Sequence, residues 1–170
     1  MNKQTCNVRM PAILRAALIA AMTLPALPMV ATAADVSSDV AFVASADEVW
    51  GSIGPFCAIS QWYPGLDSCT EKQIDGTTHR LLITADGTNV LEKLIAHDDG
   101  TMTYSYSIEE GPFPVTDYTA TIAVSQSGEE THVVWSATFE PSGATESEAV
   151  DVMRGVFDVG LEAIRQKFTK

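Results

Sequence analysis

Tyrosines in an alternating pattern are the first residues whose types and spacing suggest chemistry. Tyr104 and Tyr106 share one face of a predicted strand with Met102 and Ile108, and serine or threonine fills the positions between them. A phenol that points into an interior needs a hydrogen-bond partner. That partner is either a ligand oxygen or, without functional meaning, the backbone or water. Tyr118 begins a second alternating segment after a Pro-rich turn and is a third candidate of this kind.

A carboxylate on another predicted strand could add acid-base chemistry to these phenols. Glu92 lies between Val90 and Leu94 on one strand face, and Lys93 lies on the other. If Glu92 faces inward, desolvation raises its pKa and makes it a general base or a ligand anchor, with Arg80 as a candidate ion-pair partner. If that end of the strand is exposed, Glu92 is solvated and has neither role.

Other kinds of catalytic or metal chemistry have little support in the sequence. His79, His97 and His132 lie near predicted turns or strand ends, where we expect exposure, and no two of them have metal-ligand spacing. The chain also has no G-x-S-x-G motif and no phosphate-binding loop. We therefore expect no metal and no cofactor, and we assign no catalytic residue. Whether any reaction is catalysed stays open, and binding is favoured over catalysis.

Two cysteines, Cys57 and Cys69, lie beyond the N-terminal segment. An even pair in an oxidising compartment favours a disulfide. The chain-entropy model gives about 3 kcal/mol of stabilisation for a loop of this order. Two buried free thiols are the alternative.

Residues 1–33 have the pattern of a cleaved signal peptide. Lys3, Arg9 and Arg15 accompany a mostly apolar run, and small residues form a cleavage site before Ala34. We expect an exported protein, periplasmic or secreted and without a lipid anchor, whose residues 34–170 form one domain. Its ten basic residues would fall to seven against 22 acidic ones, a net charge of −15. Such a charge disfavours nucleic acid and anionic membranes as partners.

Turn signals divide the mature chain into seven predicted strands and three helices. A strand over 36–44 precedes two short helices; Ser45 and Glu48 form a predicted capping box for the first, and the second covers 56–61. From Val150 onward, apolar residues recur at three- and four-residue steps, which predicts a terminal helix of about 24 residues. The remaining strands are predicted at about 66–74, 78–85, 88–97, 101–109, 115–125 and 131–140.

This element order predicts an α+β fold in which the sheet curves around the terminal helix. A sheet with one apolar face needs a cover, and that helix is the only large element available. The side chains of one helix cannot fill the whole concavity, so we expect a cavity between helix and sheet. Gly155 and Gly160 interrupt the helix, either to admit a ligand or to allow close packing.

In this order of elements the chain resembles the START/Bet v 1-like superfamily, and within it the polyketide cyclase/dehydrase-type branch. The resemblance rests on the segments Ala46-Asp-Glu-Val-Trp50, Trp62-Tyr-Pro64, Gly111-Pro-Phe-Pro114 and Trp135-Ser-Ala-Thr-Phe139. It implies the helix-grip fold, a seven-stranded curved antiparallel sheet wrapped around a long C-terminal helix, with a hydrophobic ligand cavity between them. It implies no shared set of catalytic residues.

The leading hypothesis is an exported protein that holds a small apolar or amphipathic molecule in this cavity. The alternatives are a cyclase or hydrolase that uses Glu92 or a tyrosine, and an accessory protein that acts on an exported partner through its acidic surface. The residues expected to line the cavity are Trp62, Glu92, Tyr104, Tyr106, Tyr118, Trp135, Met153 and Phe157.

Overall fold

Seven strands form one sheet in the computed structural model of the chain, which describes residues 33–169. The strands are β1 (Ala34–Val43), β2 (Leu66–Ile74), β3 (Thr77–Thr84), β4 (Asn89–Asp98), β5 (Thr103–Glu110), β6 (Val115–Ser127) and β7 (Glu130–Pro141). The helices are α1 (Ala46–Ile53), α2 (Ile59–Trp62) and α3 (Glu146–Phe168), with a 3-10 turn at Phe56–Ala58 before α2. The signal-peptide prediction concerns residues 1–33, and residues 1–32 lie outside the described part of the chain.

The sheet has the order β1-β7-β6-β5-β4-β3-β2, and each strand is antiparallel to its neighbours. β2 to β7 follow one another along the chain, so each pairs with the next, and β1 closes the far edge against β7. Register shifts interrupt three of the pairings, β2 with β3, β4 with β5 and β6 with β7. Such bulges bend and twist a sheet. The predicted α+β helix-grip fold is confirmed.

The long helix α3 packs mainly against β1 and β7. Gly160 allows this close approach, because a Cβ atom there would lie 2.7 Å from Cζ3 of Trp135 and 3.0 Å from the ring of Tyr63. Gly155, in contrast, faces open space. Close packing therefore accounts for Gly160. The buried residues of α3 recur at helical spacing and are Ala149, Met153, Phe157, Gly160, Leu161 and Ile164.

Helix capping differs from the prediction at α1. Ser45 has the extended conformation of an N-cap residue, but among the described residues its side chain makes no capping hydrogen bond. Gln126 takes over this role, because its Oε1 accepts a hydrogen bond of 2.8 Å from the backbone N–H of Ala46. A full capping box is present at α3, where Thr145 and Glu148 bond reciprocally. The prediction of Ser45 as the N-cap residue is confirmed, but the predicted capping box is wrong, because the side chain of Gln126 bonds the helix end instead.

Two other predictions about the strands need correction. Met102 was expected on the inner face of a strand, but it precedes β5 in a turn with φ of 50°. His79 was expected to be exposed near a strand start, but it is buried, and its Nδ1 lies 3.0 Å from the carbonyl oxygen of Thr77. Periodicity predicts which face of a strand a residue occupies. Tight turns decide where the strand begins, and neighbouring side chains decide whether the residue is buried.

A disulfide joins Cys57 to Cys69, with 5.5 Å between their Cα atoms. It ties the 3-10 turn before α2 to the edge strand β2.

None of the helices between residues 33 and 169 has both the length and the hydrophobicity that a membrane-spanning helix needs.

Candidate ligand-binding cavity

A cavity of about 460 Å³ lies between the sheet and α3. Its exposed lining residues belong to the turn between β3 and β4, including Asp86, and to the loop between β5 and β6, including Pro112. Gly65, just before β2, is also one of them, and its carbonyl is hydrogen-bonded to the β3–β4 turn. Its buried lining residues include Leu82 near the end of β3 and Val90 near the start of β4, on the inner face of the sheet. The cavity therefore opens between the turn and the loop, and it ends against the inner face of the sheet.

The inner end of the cavity carries a buried ion pair. Arg80 on β3 is paired in register with Glu92 on β4, and its Nε donates to Oε2 of Glu92 at 2.5 Å. Arg80 is fully buried behind the cavity wall, whereas Glu92 lines the cavity. The sequence left the orientation of Glu92 open, and the structure points it inward.

Arg80 is held by Phe56 in addition to Glu92. Its Nη1 donates to the backbone carbonyl of Phe56, and the Phe56 ring lies over the guanidinium at 4.1 Å from its centroid. Phe56 lies in the 3-10 turn directly before Cys57, and the disulfide fixes this turn to β2. The guanidinium is thus enclosed by carboxylate, carbonyl and aromatic ring.

Burial controls the ionisation of this pair. It raises the pKa of the Glu92 carboxyl, and the charge of Arg80 opposes part of that rise. It lowers the pKa of Arg80, but Glu92 together with Tyr104 and Tyr106 more than offsets this effect, so the net pKa is raised. Arg80 therefore stays positively charged, and its guanidinium forms an ion pair with Glu92.

Two phenols complete the polar part of the wall. The hydroxyl of Tyr106 accepts a hydrogen bond of 3.0 Å from Nε1 of Trp135, and its ring centroid lies 6.2 Å from that of Tyr118. Burial raises the pKa of Tyr106 well above its ordinary value; it also raises the pKa of Tyr118, although the Tyr106 hydroxyl opposes part of that rise. Both phenols are protonated at neutral pH and can donate hydrogen bonds.

Five of the predicted wall residues border the cavity: Glu92, Tyr106, Tyr118, Trp135 and Met153. The other three are buried behind it. Phe157 stacks on Trp135 at 4.7 Å between ring centroids, and Trp62 packs edge-on against the same indole at 6.0 Å. Tyr104 is covered by Phe56 and Trp50, whose ring centroids lie 5.9 and 6.1 Å from its own. That any of these residues binds a ligand stays a prediction.

Buried polar atoms without a partner also mark this region. Among the described residues, Nε1 of Trp62, Nη2 of Arg80 and the hydroxyl of Tyr104 have no hydrogen-bond partner. None of these residues lines the cavity. These three residues therefore lie behind the residues that form the cavity wall.

Several lining residues escaped the sequence analysis. Tyr63 and Phe113 lie in connections that have no periodicity, although each stands beside a proline in a segment that carried the family resemblance. Leu82 and Val90 are ordinary aliphatic residues on the inner faces of β3 and β4, and period-two alternation alone could have placed them. The part of the chain that the structure describes contains no cluster of three potential metal ligands.

The comparison with protein families decides the relationship. Residues 33–169 match the model of the family described as polyketide cyclase/dehydrase and lipid transport. The chain belongs to this family. The match covers every described residue, so it includes both the sheet and the helix that enclose the cavity.

Several solved structures share the fold of this chain. The XoxI protein from Bacillus cereus is 34% identical, with a TM-score of 0.73, and the alignment covers 79% of this chain and 95% of that one. A START superfamily protein from Mycobacterium smegmatis has a TM-score of 0.65 at 13% identity, covering 79% and 96%. The Zhui aromatase/cyclase from a Streptomyces species has a TM-score of 0.60 at 15% identity, covering 80% and 93%. None of the curated proteins matches the chain significantly.

Proposed function

We propose that this protein binds a small apolar or amphipathic molecule in the cavity between the sheet and α3, and that it does so after export. The observation that carries the proposal is the cavity itself. It has about 460 Å³ of space and an aliphatic and aromatic wall that carries a few polar groups. Small-molecule sites are concave, mostly apolar and fixed by a few placed polar groups, with volumes of about 300–1,000 Å³.

Export is supported by two independent features. The N-terminal residues have the composition and cleavage site of a signal peptide, and the structure contains the Cys57–Cys69 disulfide. Disulfides persist in oxidising compartments such as the periplasm or the outside of the cell. Fractionation of the native host, followed by N-terminal sequencing, should find a mature chain that begins at Ala34; a cytoplasmic chain that retains residues 1–33 would contradict export.

Binding can be tested with Nile red, a neutral apolar dye. Val90→Phe places a larger side chain at a buried cavity position, and we expect it to weaken dye binding by about tenfold or more, which corresponds to 1.4 kcal/mol. The matched control is Val152→Phe on the exposed face of α3, which should bind as the wild type does. Equal dye affinity in all three folded proteins would contradict a ligand site in this cavity.

The natural occupant can be sought by native mass spectrometry of the protein purified from its own compartment. A retained small molecule of defined mass, absent after denaturation, is the expected result. Its chemical class then follows from its fragmentation.

A second candidate function is acid-base catalysis on the bound molecule. It is favoured by one observation, that Glu92 borders the cavity and burial raises its pKa, which brings a carboxyl closer to the range useful for proton transfer at neutral pH. Turnover of any retained molecule by wild type but not by Glu92→Gln would support catalysis. If both proteins return the molecule unchanged, the protein is a binder.

A further inference from the structure

The charged residues around the cavity are all acidic. Among the described residues that line it, Glu92 and Asp86 are the charged ones, and no lysine, arginine or histidine reaches the lining. Glu92 is at the buried inner end, and Asp86 is exposed in the turn at the opening. A ligand that carries a carboxylate would therefore meet like charge at both ends of its path.

Arg80 cannot hold such an anion. It is fully buried and does not line the cavity, and its Nε and Nη1 are already bonded to Glu92 and to the Phe56 carbonyl. The ion pair therefore presents its negative partner to the ligand and its positive partner to the protein interior. Desolvation of an unpaired ligand carboxylate beside it is therefore unfavourable.

A neutral hydroxyl group, in contrast, meets complementary groups there. Arg80 occupies Oε2 of Glu92, while Oε1 accepts no hydrogen bond from any described residue, and the 7% of the side chain that remains accessible borders the cavity. The hydroxyl of Tyr106 accepts a bond from Trp135, and Tyr118 supplies a second phenol beside it. The inner end thus offers one carboxylate acceptor and phenolic donors, which match the donor and acceptor of an alcohol.

We propose that the ligand is a neutral apolar molecule bearing an alcohol or phenol, which enters hydroxyl first and donates to Oε1 of Glu92, and that the cavity rejects carboxylates of the same size. This inference rests on the proposed binding function and specifies its ligand class. The net charge of −12 of the whole chain acts in the same direction, because it repels anions before they reach the opening.

Three probes built on a ten-carbon chain separate the effect of a hydroxyl from that of an ester and of a negative charge. They are decanol, methyl decanoate and decanoate, each competing with Nile red at neutral pH. Decanol should bind about tenfold more tightly than the methyl ester, because only the alcohol can donate a hydrogen bond to the charged acceptor. Decanoate should bind most weakly. An ester that binds as tightly as decanol, or a decanoate that outcompetes both, would overturn the inference.

The residue assignment is tested by Glu92→Gln, with Asp86→Asn as the matched control at the opening. Gln keeps the shape but removes the charge that faces the ligand and frees Arg80, so the preference for decanol over decanoate should fall by about tenfold or more. In Asp86→Asn the preference should fall much less than in Glu92→Gln, because the charge at the opening is exposed and screened. An unchanged preference in a folded Glu92→Gln protein would remove Glu92 from the site.

The outcomes also distinguish the two proposals. If Nile red and all three probes fail to bind wild type, the binding function fails and this inference falls with it. If the probes bind without the expected order, only the ligand class is wrong. Should Glu92→Gln not fold, the comparison of decanol with its methyl ester in the wild-type protein still decides the point.

Discussion

The two halves of the space under the sheet are built differently. In the filled half, the C-terminal part of α3 packs on β1, with Ile164 fully buried and Phe168 stacked on Phe42 at 5.8 Å. In the hollow half, under β3 to β6, side chains such as Leu82 face the cavity. The filled half is held by apolar packing. The hollow half has a carboxylate and two phenols in the wall, and the arginine that pairs with the carboxylate lies behind it. Polar groups are therefore found where packing is incomplete.

The largest effect is expected from breaking the buried ion pair, and it separates the stability due to this pair from the stability due to apolar packing. Arg80→Ala leaves Glu92 buried without its partner, and breaking a buried pair in this way costs about 3–5 kcal/mol. The double variant Arg80→Met/Glu92→Leu removes both charges and should cost clearly less, measured as the free energy of unfolding in urea. If the double variant is as unstable as the single one, lost volume rather than the orphaned charge explains the effect.

Truncation of one apolar residue in each half tests the difference in packing. Ile164→Ala should fall near the upper part of the range of about 2–5 kcal/mol for such changes, and Leu82→Ala near the lower part. The reason is that Leu82 already faces open space on one side and has fewer contacts to lose. Equal losses in urea unfolding would mean that the cavity is collapsed in solution.

A smaller effect is expected where α3 meets the boundary between the halves. Gly160→Ala would bring a Cβ to 2.7 Å from Trp135 and should destabilise the protein by about 1–3 kcal/mol, the range for overpacking. Gly155→Ala is the matched control on the same helix. It meets open space and should stabilise the protein by up to about 1 kcal/mol, because alanine favours the helix. Thermal unfolding of both variants checks the sign, and a stabilising Gly160→Ala would show that the helix is free to move away from the sheet.

Tyr104 and Tyr106 show how far the sequence alone can lead. Alternation placed both on the inner face of one strand, and both are inside, at 1% and 2% exposure. Only Tyr106 reaches the cavity, because Phe56 and Trp50 cover Tyr104. Periodicity reports which face a residue occupies, but it does not report which neighbour from a distant segment packs over it.

The rest of the cavity follows the same rule. The alternating strand pattern could have predicted that Glu92 faces inward and that Arg80 is its partner. The sequence alone, however, did not decide between an inward and an exposed Glu92. The opening between the β3–β4 turn and the β5–β6 loop was not predicted, because turns and loops have no repeat from which their direction can be inferred. The width of the cavity depends on where α3 meets the sheet, and that is decided by a glycine contact with Trp135 and Tyr63.

The disulfide has a consequence that concerns water rather than chain entropy. Cys57 is bonded to Cys69 next to the residue whose ring and carbonyl enclose the Arg80 guanidinium. As long as the bond holds the 3-10 turn against β2, solvent is kept from the back of that charge, and the local dielectric constant stays low. A covalent link between the edge strand and a short turn therefore controls how strongly an interior arginine acts on the carboxylate in front of it.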